Sequence, residues 1–284
     1  MRTGGCLSVE RRGGRDTECD LRSSAPLTLL AVRGNTGPAV VHLGAGAAGG
    51  GVRGGAYLSV ERRGGRDVVC DLWSAAPLML LPVRGSTGPV VVHLVSSAAN
   101  PLGGDEVTLT VRVGAGASLR LSGVAAAVAL PGPHGAPSRS VVRLHAAARA
   151  SLAYLPEPTV ITSRARHAAE LHADLAADAC LHTREVLVLG RTGERPGVLT
   201  TSTSVTRGGR PVLRQQLAIG DPALDASVAY LAGRRVLATD LQIGDGERPA
   251  AGGEWWSRTP LAAGGTLTTA LADDAVTALR HLDS

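Results

Sequence analysis

Val107, Leu109, Val111 and Val113 alternate with Thr108, Thr110 and Arg112, a period of two that belongs to a half-buried strand and to no helix. The same alternation returns at 141–145. It returns again at 171–175, where Leu171, Ala173 and Leu175 are apolar and His172 and Asp174 are not. Residues 200–206 are all Thr, Ser and Val; they meet Gly208-Gly209 and resume as an apolar-rich stretch at 212–219, which predicts a hairpin. Gly114-Ala115-Gly116-Ala117, between the strands at 107–113 and 119–122, is read as another hairpin turn. A strand is expected at 235–243. Near the end, Leu271, Val276, Leu279 and Leu282 have the spacing of an amphipathic helix. The fold class implied is mainly β: a large, elongated antiparallel or mixed β-sheet domain with few helices, including a C-terminal one.

The interior of such a sheet must come from Val, Leu and Ala, because the chain has no Phe and only 3 Trp and 3 Tyr. Its basic side chains are all Arg, interspersed with Asp and Glu, and the formal net charge is only +5. A nucleic-acid surface calls for clustered base and aromatic stacking platforms, and neither is present, so no nucleic-acid partner is expected. No apolar run approaches the ~20 residues of a membrane span, and the charged first residues lack the apolar stretch of a secretory leader. Cys6, Cys19, Cys70 and Cys180 form no CxxC pair. Reduced thiols in a cytoplasmic protein, with no membrane partner, are the expectation.

Residues 7–43 recur almost unchanged as residues 58–94. Two copies are too few to stack into a solenoid of their own, and only the second runs on into Gly103-Gly104-Asp105 and the strands beyond. Residues 1–54 are therefore read as a duplicated strand segment plus a Gly-rich linker, expected to be dispensable for folding, and residues 55–284 as the β domain.

Chemistry-bearing motifs are sparse. The G-x-G-x-x-G match at 44–49 is followed by further glycines rather than a helix, so it lacks the context of a dinucleotide site. GxSxG, HExxH and a Walker lysine are all missing, and the chain is expected not to be an enzyme. His167, His172, Cys180 and His182 are metal-competent and close in sequence. Along a strand Cys180 and His182 share a face, and imidazole suits nickel. Spacing of the CxxC or HxxxH kind is lacking, so a polar strand face is favoured over a transient metal contact by His172, Cys180 and His182. Of the acidic residues, Glu194 beside Arg191 and Arg195 reads as a turn carboxylate. Glu185 opens an apolar run in which an unpaired charge would be costly. Glu157 is bracketed by Pro156 and Pro158, which break a strand.

The motifs in order, Gly103-Gly104-Asp105, then Leu155-Pro156-Glu157-Pro158, then Glu185 through Gly190-Arg191, then Gly193-Glu194, resemble the UreD (also called UreH) family of urease accessory proteins. The resemblance covers residues 58–284. It implies a long, mostly β protein with two helices that helps load nickel into apo-urease in complex with UreF and the GTPase UreG. It also implies that no cofactor is bound stably and that nickel is in transit. By the same resemblance Asp105, Glu157 and Glu185 are expected to line or support a water-filled path for the ion, with Gly103, Gly104, Pro156, Gly190, Arg191 and Glu194 as motif positions. The runner-up from another class is a β-rich carbohydrate-active or carbohydrate-binding protein, whose mark would be an exposed cleft lined by Trp255 and Trp256.

Overall fold

The computed structural model describes residues 51–84, 88–132, 135–244 and 248–284. The first copy of the duplicated segment, Cys6, Cys19 and the glycine motif at 44–49 lie outside the described residues. The chain runs through β1 (Arg53–Arg63), β2 (Arg66–Ser74), β3 (Leu78–Pro82), β4 (Val90–Ser96), β5 (Glu106–Val113), β6 (Ser118–Gly123) and β7 (Ala127–Ala129). It continues through β8 (Ser138–Ala146), β9 (Ser151–Leu155), β10 (Thr159–Ile161), β11 (Arg166–Leu175), β12 (Cys180–Leu189), β13 (Val198–Arg207) and β14 (Arg210–Ile219). A short helix α1 (Pro222–Ala226) precedes β15 (Val236–Ile243), β16 (Ala251–Gly253), β17 (Trp256–Pro260), β18 (Thr266–Ala272) and the closing helix α2 (Ala275–Asp283). The mainly β class and the C-terminal helix expected from the sequence are both present.

These strands form two sheets. One is seven-stranded in the order β14-β13-β11-β8-β5-β1-β2. The other is eleven-stranded, running β16-β17-β18-β15-β12-β9-β6-β4-β3, with β10 and β7 paired alongside β12. From β5 to β13 the chain shuttles between them, and its neighbours within each sheet are parallel: β5, β8, β11 and β13 in one, β6, β9 and β12 in the other. The centre of the molecule is thus a coil of stacked turns. Residues 114–117 are not the hairpin turn expected from the sequence. Those residues form a corner that carries β5 of the seven-stranded sheet across to β6 of the other. Alternation says which face of a strand is buried; it does not say whether the next strand lies beside it or opposite it.

The corner recurs. Ala117, Ala150 and Ala179 are all essentially fully buried, and each donates its N–H to a carbonyl three residues back, on Gly114, Ala147 and Ala176. Each is followed at once by the next strand, and Ser151 and Cys180 donate to the carbonyls of Ala117 and Ala150 in the coil before. The three alanines lie in the same buried cluster as Leu119, Leu152 and Leu181 of the strands that follow them. The two ends of the coil are closed by antiparallel hairpins. In the β13–β14 hairpin Gly208 and Gly209 take φ values of +57° and +75°, the left-handed pair that a two-residue turn needs.

The space between the sheets is filled by inward Leu, Val and Ala such as Leu58, Leu109, Leu119, Leu144, Leu152, Leu181 and Leu241. Helix α2 is capped by the Asp274 carboxylate on the Thr277 N–H. It lays Ala278 and Leu282 on the outer face of the eleven-stranded sheet, against Val186, Val236, Ala238 and Ala270.

The fold begins before residue 55. β1 starts at Arg53 and pairs in register with β5 from there. The Val52 N–H donates to Asp105 Oδ1 at 2.8 Å. Gly51 lies so close to Gly104 that a Cβ there would sit 1.8 Å from its carbonyl oxygen. A boundary after residue 54 therefore cuts through β1. A chain starting at Gly51 is expected to be more stable than one starting at Gly55 by about 1–3 kcal/mol, the cost of leaving a buried carboxylate oxygen short of its donor. Urea unfolding of the two truncations checks this; equal midpoints would show the Val52 bond to be idle.

Candidate functional site: a cavity behind a break in the sheet

Strand β12 has two partners on one edge. β9 pairs with it over Cys180–Thr183, and β10 over Leu187–Leu189. The chain leaves the sheet between them at Pro156-Glu157-Pro158. Proline donates nothing to a ladder, and the residue before it is restricted in conformation. The next strand outward is interrupted at the same level: β6 pairs with β9, β7 pairs with β10, and residues 124–126 connect them. Gly123, where β6 ends, is pressed against this break; a Cβ there would lie 2.6 Å from the Glu157 backbone nitrogen. Glu185 sits on β12 opposite the interruption, with no ladder partner on that side.

Behind the break, between the sheets, lies a cavity of about 200 Å³ whose wall includes Glu157, Glu185, Tyr154, Thr183, Thr201 and His167. On β12 the odd positions face inward, so Thr183 and Glu185 follow Leu181 along one face and precede Leu187. Glu185 is only partly covered, and it forms part of the cavity wall. Burial among protein atoms raises its pKa, opposed by a hydrogen bond from Thr201. That hydroxyl, on β13 of the opposite sheet, donates at 3.0 Å to Oε1 and 3.2 Å to Oε2. Tyr154 is 8 % exposed, and burial, with the nearby Glu185 charge, pushes its phenol up. His167 shares a hydrogen bond of 2.9 Å between its Nδ1 and Ser138 Oγ, and burial lowers its pKa to about 4. Its ring is neutral at physiological pH. Glu157, in contrast, is exposed at the break.

The other sequence-derived candidates lie elsewhere. Asp105 is 2 % exposed and does not line the cavity. Its second oxygen, Oδ2, accepts from the Leu102 N–H at 2.9 Å, so with Val52 on the first it ties the start of β1 to the 100–105 loop. Gly103 and Gly104 donate to the carbonyls of Leu130 and Pro137 in the same loop cluster. Gly190 ends β12 at a φ of +86°, and Glu194 closes the turn after it, accepting from the Arg191 N–H. His172, Cys180 and His182 are not brought together. His172 is exposed on β11 of the seven-stranded sheet beside Glu170, whereas Cys180 and His182 are on β12 of the other sheet. His182 Nε2 is 2.8 Å from Asp240 Oδ2, which also accepts from Arg184 Nε. Among the described residues no cluster of three His, Cys, Asp or Glu side chains is arranged to hold a metal ion. Trp255 and Trp256 line no cleft: the Arg234 guanidinium lies 3.9 Å from the centre of the Trp255 ring, and Trp256 packs beneath α2 near Arg258.

Sequence reasoning had Glu157 and Glu185 but missed Tyr154, Thr183, Thr201 and Thr239. A signal was available. These threonines occupy inward strand positions where Val would pack as well and carry no hydroxyl to desolvate.

A coiled β fold whose two sheets leave a partly open cavity between them, with an acid and several hydroxyls among apolar side chains, is the class this geometry defines. The family model described as UreD urease accessory protein matches residues 52–283. Urease accessory protein UreD 1 of Saccharopolyspora erythraea is 54% identical over 237 residues, covering 81% of this chain and 93% of that protein. The UreD proteins of a Parafrankia species and of Streptomyces coelicolor are 42% and 38% identical, each across 82% of this chain and 87% and 95% of their own lengths. The chain belongs to the UreD family of urease accessory proteins.

Two predictions follow from the buried groups. Asp105→Ala strands two backbone N–H donors and is expected to cost about 2–4 kcal/mol, read by urea unfolding. His167 has a folded pKa of about 4 against ~6.5 unfolded. The unfolded chain therefore gains a proton that the folded one refuses, and the stability this contributes is lost as pH falls from about 6.5 toward 4. Unfolding free energies at pH 7 and pH 4.5 should show the wild type losing roughly 2–3 kcal/mol more than His167→Gln; equal losses would contradict a neutral buried His167.

Proposed function

We propose that this protein is a non-enzymatic scaffold that helps deliver nickel to apo-urease, working in a cytoplasmic complex with UreF-like and UreG-like accessory proteins, and that the ion crosses the cavity behind the sheet break. Family membership supports the urease-accessory role. The observation that carries the finer reading is Glu185: a carboxylate opposite a two-strand interruption, lining the cavity between the sheets, with Glu157 exposed at the break. A carboxyl whose pKa is raised by the protein atoms around it can release its proton as a divalent cation arrives and take it back as the cation leaves. The neutral His167 adds no repelling charge. No described helix is long and apolar enough to cross a membrane. The carbohydrate reading finds little support, since an Arg covers the Trp255 ring and Trp256 is packed under a helix.

Glu185→Gln keeps the shape and the Thr201 hydrogen bond but removes the charge. It is expected to leave the complex with the UreF-like partner intact while the nickel content of urease falls several-fold; Glu157→Gln should give a smaller drop. Pull-down of the partner and metal analysis of purified urease read the two effects separately. Intact complex with full nickel content in both variants would sink the reading. The Glu185→Gln chain should also be the more stable one at neutral pH. The raised acid holds its proton to a higher pH when folded, so the wild type loses stability as pH rises above the unfolded value of about 4.3.

A further inference from the structure

At the ends of β5, β8 and β11 the chain makes the same move. The Gly114, Ala147 and Ala176 N–H groups donate to the carbonyls of Val60, Val113 and Ala146, and each is followed by a corner that buries an Ala over the interior. β13 reaches the same level, where the Gly208 N–H donates to the Leu175 carbonyl at 2.8 Å. No fourth corner follows. The chain turns back at Gly208-Gly209 into β14, and the end of the interior at this level stays open. A cavity of about 400 Å³ lies there, room enough for a small molecule. Its wall is Ala177 of the last corner, Arg207, Gly208, Arg210 and Val212 of the hairpin, and Ala263 from the turn between β17 and β18 of the other sheet.

Two arginines face this opening. Alternation along β13 puts Arg207 on the side of the fully buried Val205, and its register partner on β11 is the buried Leu175. Its partner across the hairpin is Arg210. A charge where Leu and Val build the interior is costly, and like charges directly opposite on paired strands repel. Neither guanidinium bonds or pairs with a described protein group, and Arg207 Nε is buried without a partner. Other arginines of the two sheets have their acids: Arg139 pairs with Glu170, and Arg184 with Asp240 and Asp283. A guanidinium is a planar fork of donors that matches the oxygens of phosphate and carboxylate. We propose that Arg207 and Arg210 form a binding site for a small oxyanion, phosphate or carboxylate in type, at the open end of the coil. The anion supplies the counter-charge that the protein withholds. Ala177, Val212 and Ala263 offer neither a side-chain acceptor to compete for the guanidiniums nor a carboxylate to repel the ligand. The site shares no residue with the cavity at Glu185 and stands apart from the delivery reading.

The test is calorimetric titration of the full chain with inorganic phosphate and with acetate, at an ionic strength held constant with chloride. Wild type is expected to bind one anion per chain; tighter phosphate marks a phosphate or phosphoryl group as the ligand, tighter acetate a carboxylate. Arg207→Gln and Arg210→Gln should each weaken binding about tenfold or more. Arg207→Lys, which keeps the charge and loses the fork, should weaken it several-fold. Arg143→Gln removes the same charge from the exposed outer face of β8 and should leave binding unchanged. Arg210 is itself exposed, so its variant reports on binding without a packing defect. In chloride alone Arg210→Gln should melt above wild type, because the like-charge pair is gone, and its melting temperature should no longer climb with phosphate or acetate. Equal binding by wild type, Arg207→Gln and Arg210→Gln would overturn the site, as would an equal loss in Arg143→Gln. So would a wild-type melting temperature indifferent to both anions.

Discussion

The molecule depends on a corner of four residues. At 114–117, 147–150 and 176–179 the chain turns from one sheet to the other with a buried Ala at the bend, and the coils stack directly on one another. A larger residue at Ala117, Ala150 or Ala179 would have to displace the core packed around it. With that corner set, parallel pairing within each sheet follows. So does the facing of inner residues across the interior, and with it the cavity between β12 and β13.

The chamber exists because pairing fails at one level. A continuous β9–β10 strand would satisfy the whole edge of β12 and bury Glu185 beneath it. Pro156 and Pro158 interrupt that strand, and Gly123 lets the neighbouring strand end against the interruption. The result is a local conflict between foldability and polarity: an acid and several hydroxyls stand where Leu and Val would stabilise the core. Local rules broken inside an otherwise consistent core are the expected mark of a functional position. Here the breach is compensated by the apolar packing on either side, around Leu152 and Leu181 in one direction and Ile161 and Leu189 in the other.

Asp105 and Glu185 show how two acids that look alike in sequence part company in space. Each stands just before the apolar positions of a strand. Asp105 ends with both oxygens taken by backbone N–H groups, so it is a staple between β1 and the 100–105 loop. Glu185 accepts only from a side-chain hydroxyl and faces open volume. The His172, Cys180 and His182 donors likewise lie near one another in the chain and are distributed to different sheets. Sequence proximity means little in a coil that changes sheets every ten residues or so.

Period-two alternation, the Gly208-Gly209 hairpin, the helical spacing at the C-terminus and the strand break at Pro156-Glu157-Pro158 were all legible in the sequence, because each is a local property of the backbone and its neighbours. The Ala-Ser or Ala-Cys corners at 117–118, 150–151 and 179–180 were also written there, as a weak repeat that the far stronger duplication at the N-terminus overshadowed. Which strand lies beside which was decided only by the tertiary structure. The same alternating pattern serves a hairpin partner or a strand in the facing sheet, and burial of the inner face rewards both. The site was divided in the same way. Glu157 and Glu185 announced themselves by their flanking residues, whereas the Thr183, Thr201, Thr239 and Tyr154 ring is assembled from strands β12, β13, β15 and β9, and no single stretch of chain contains it.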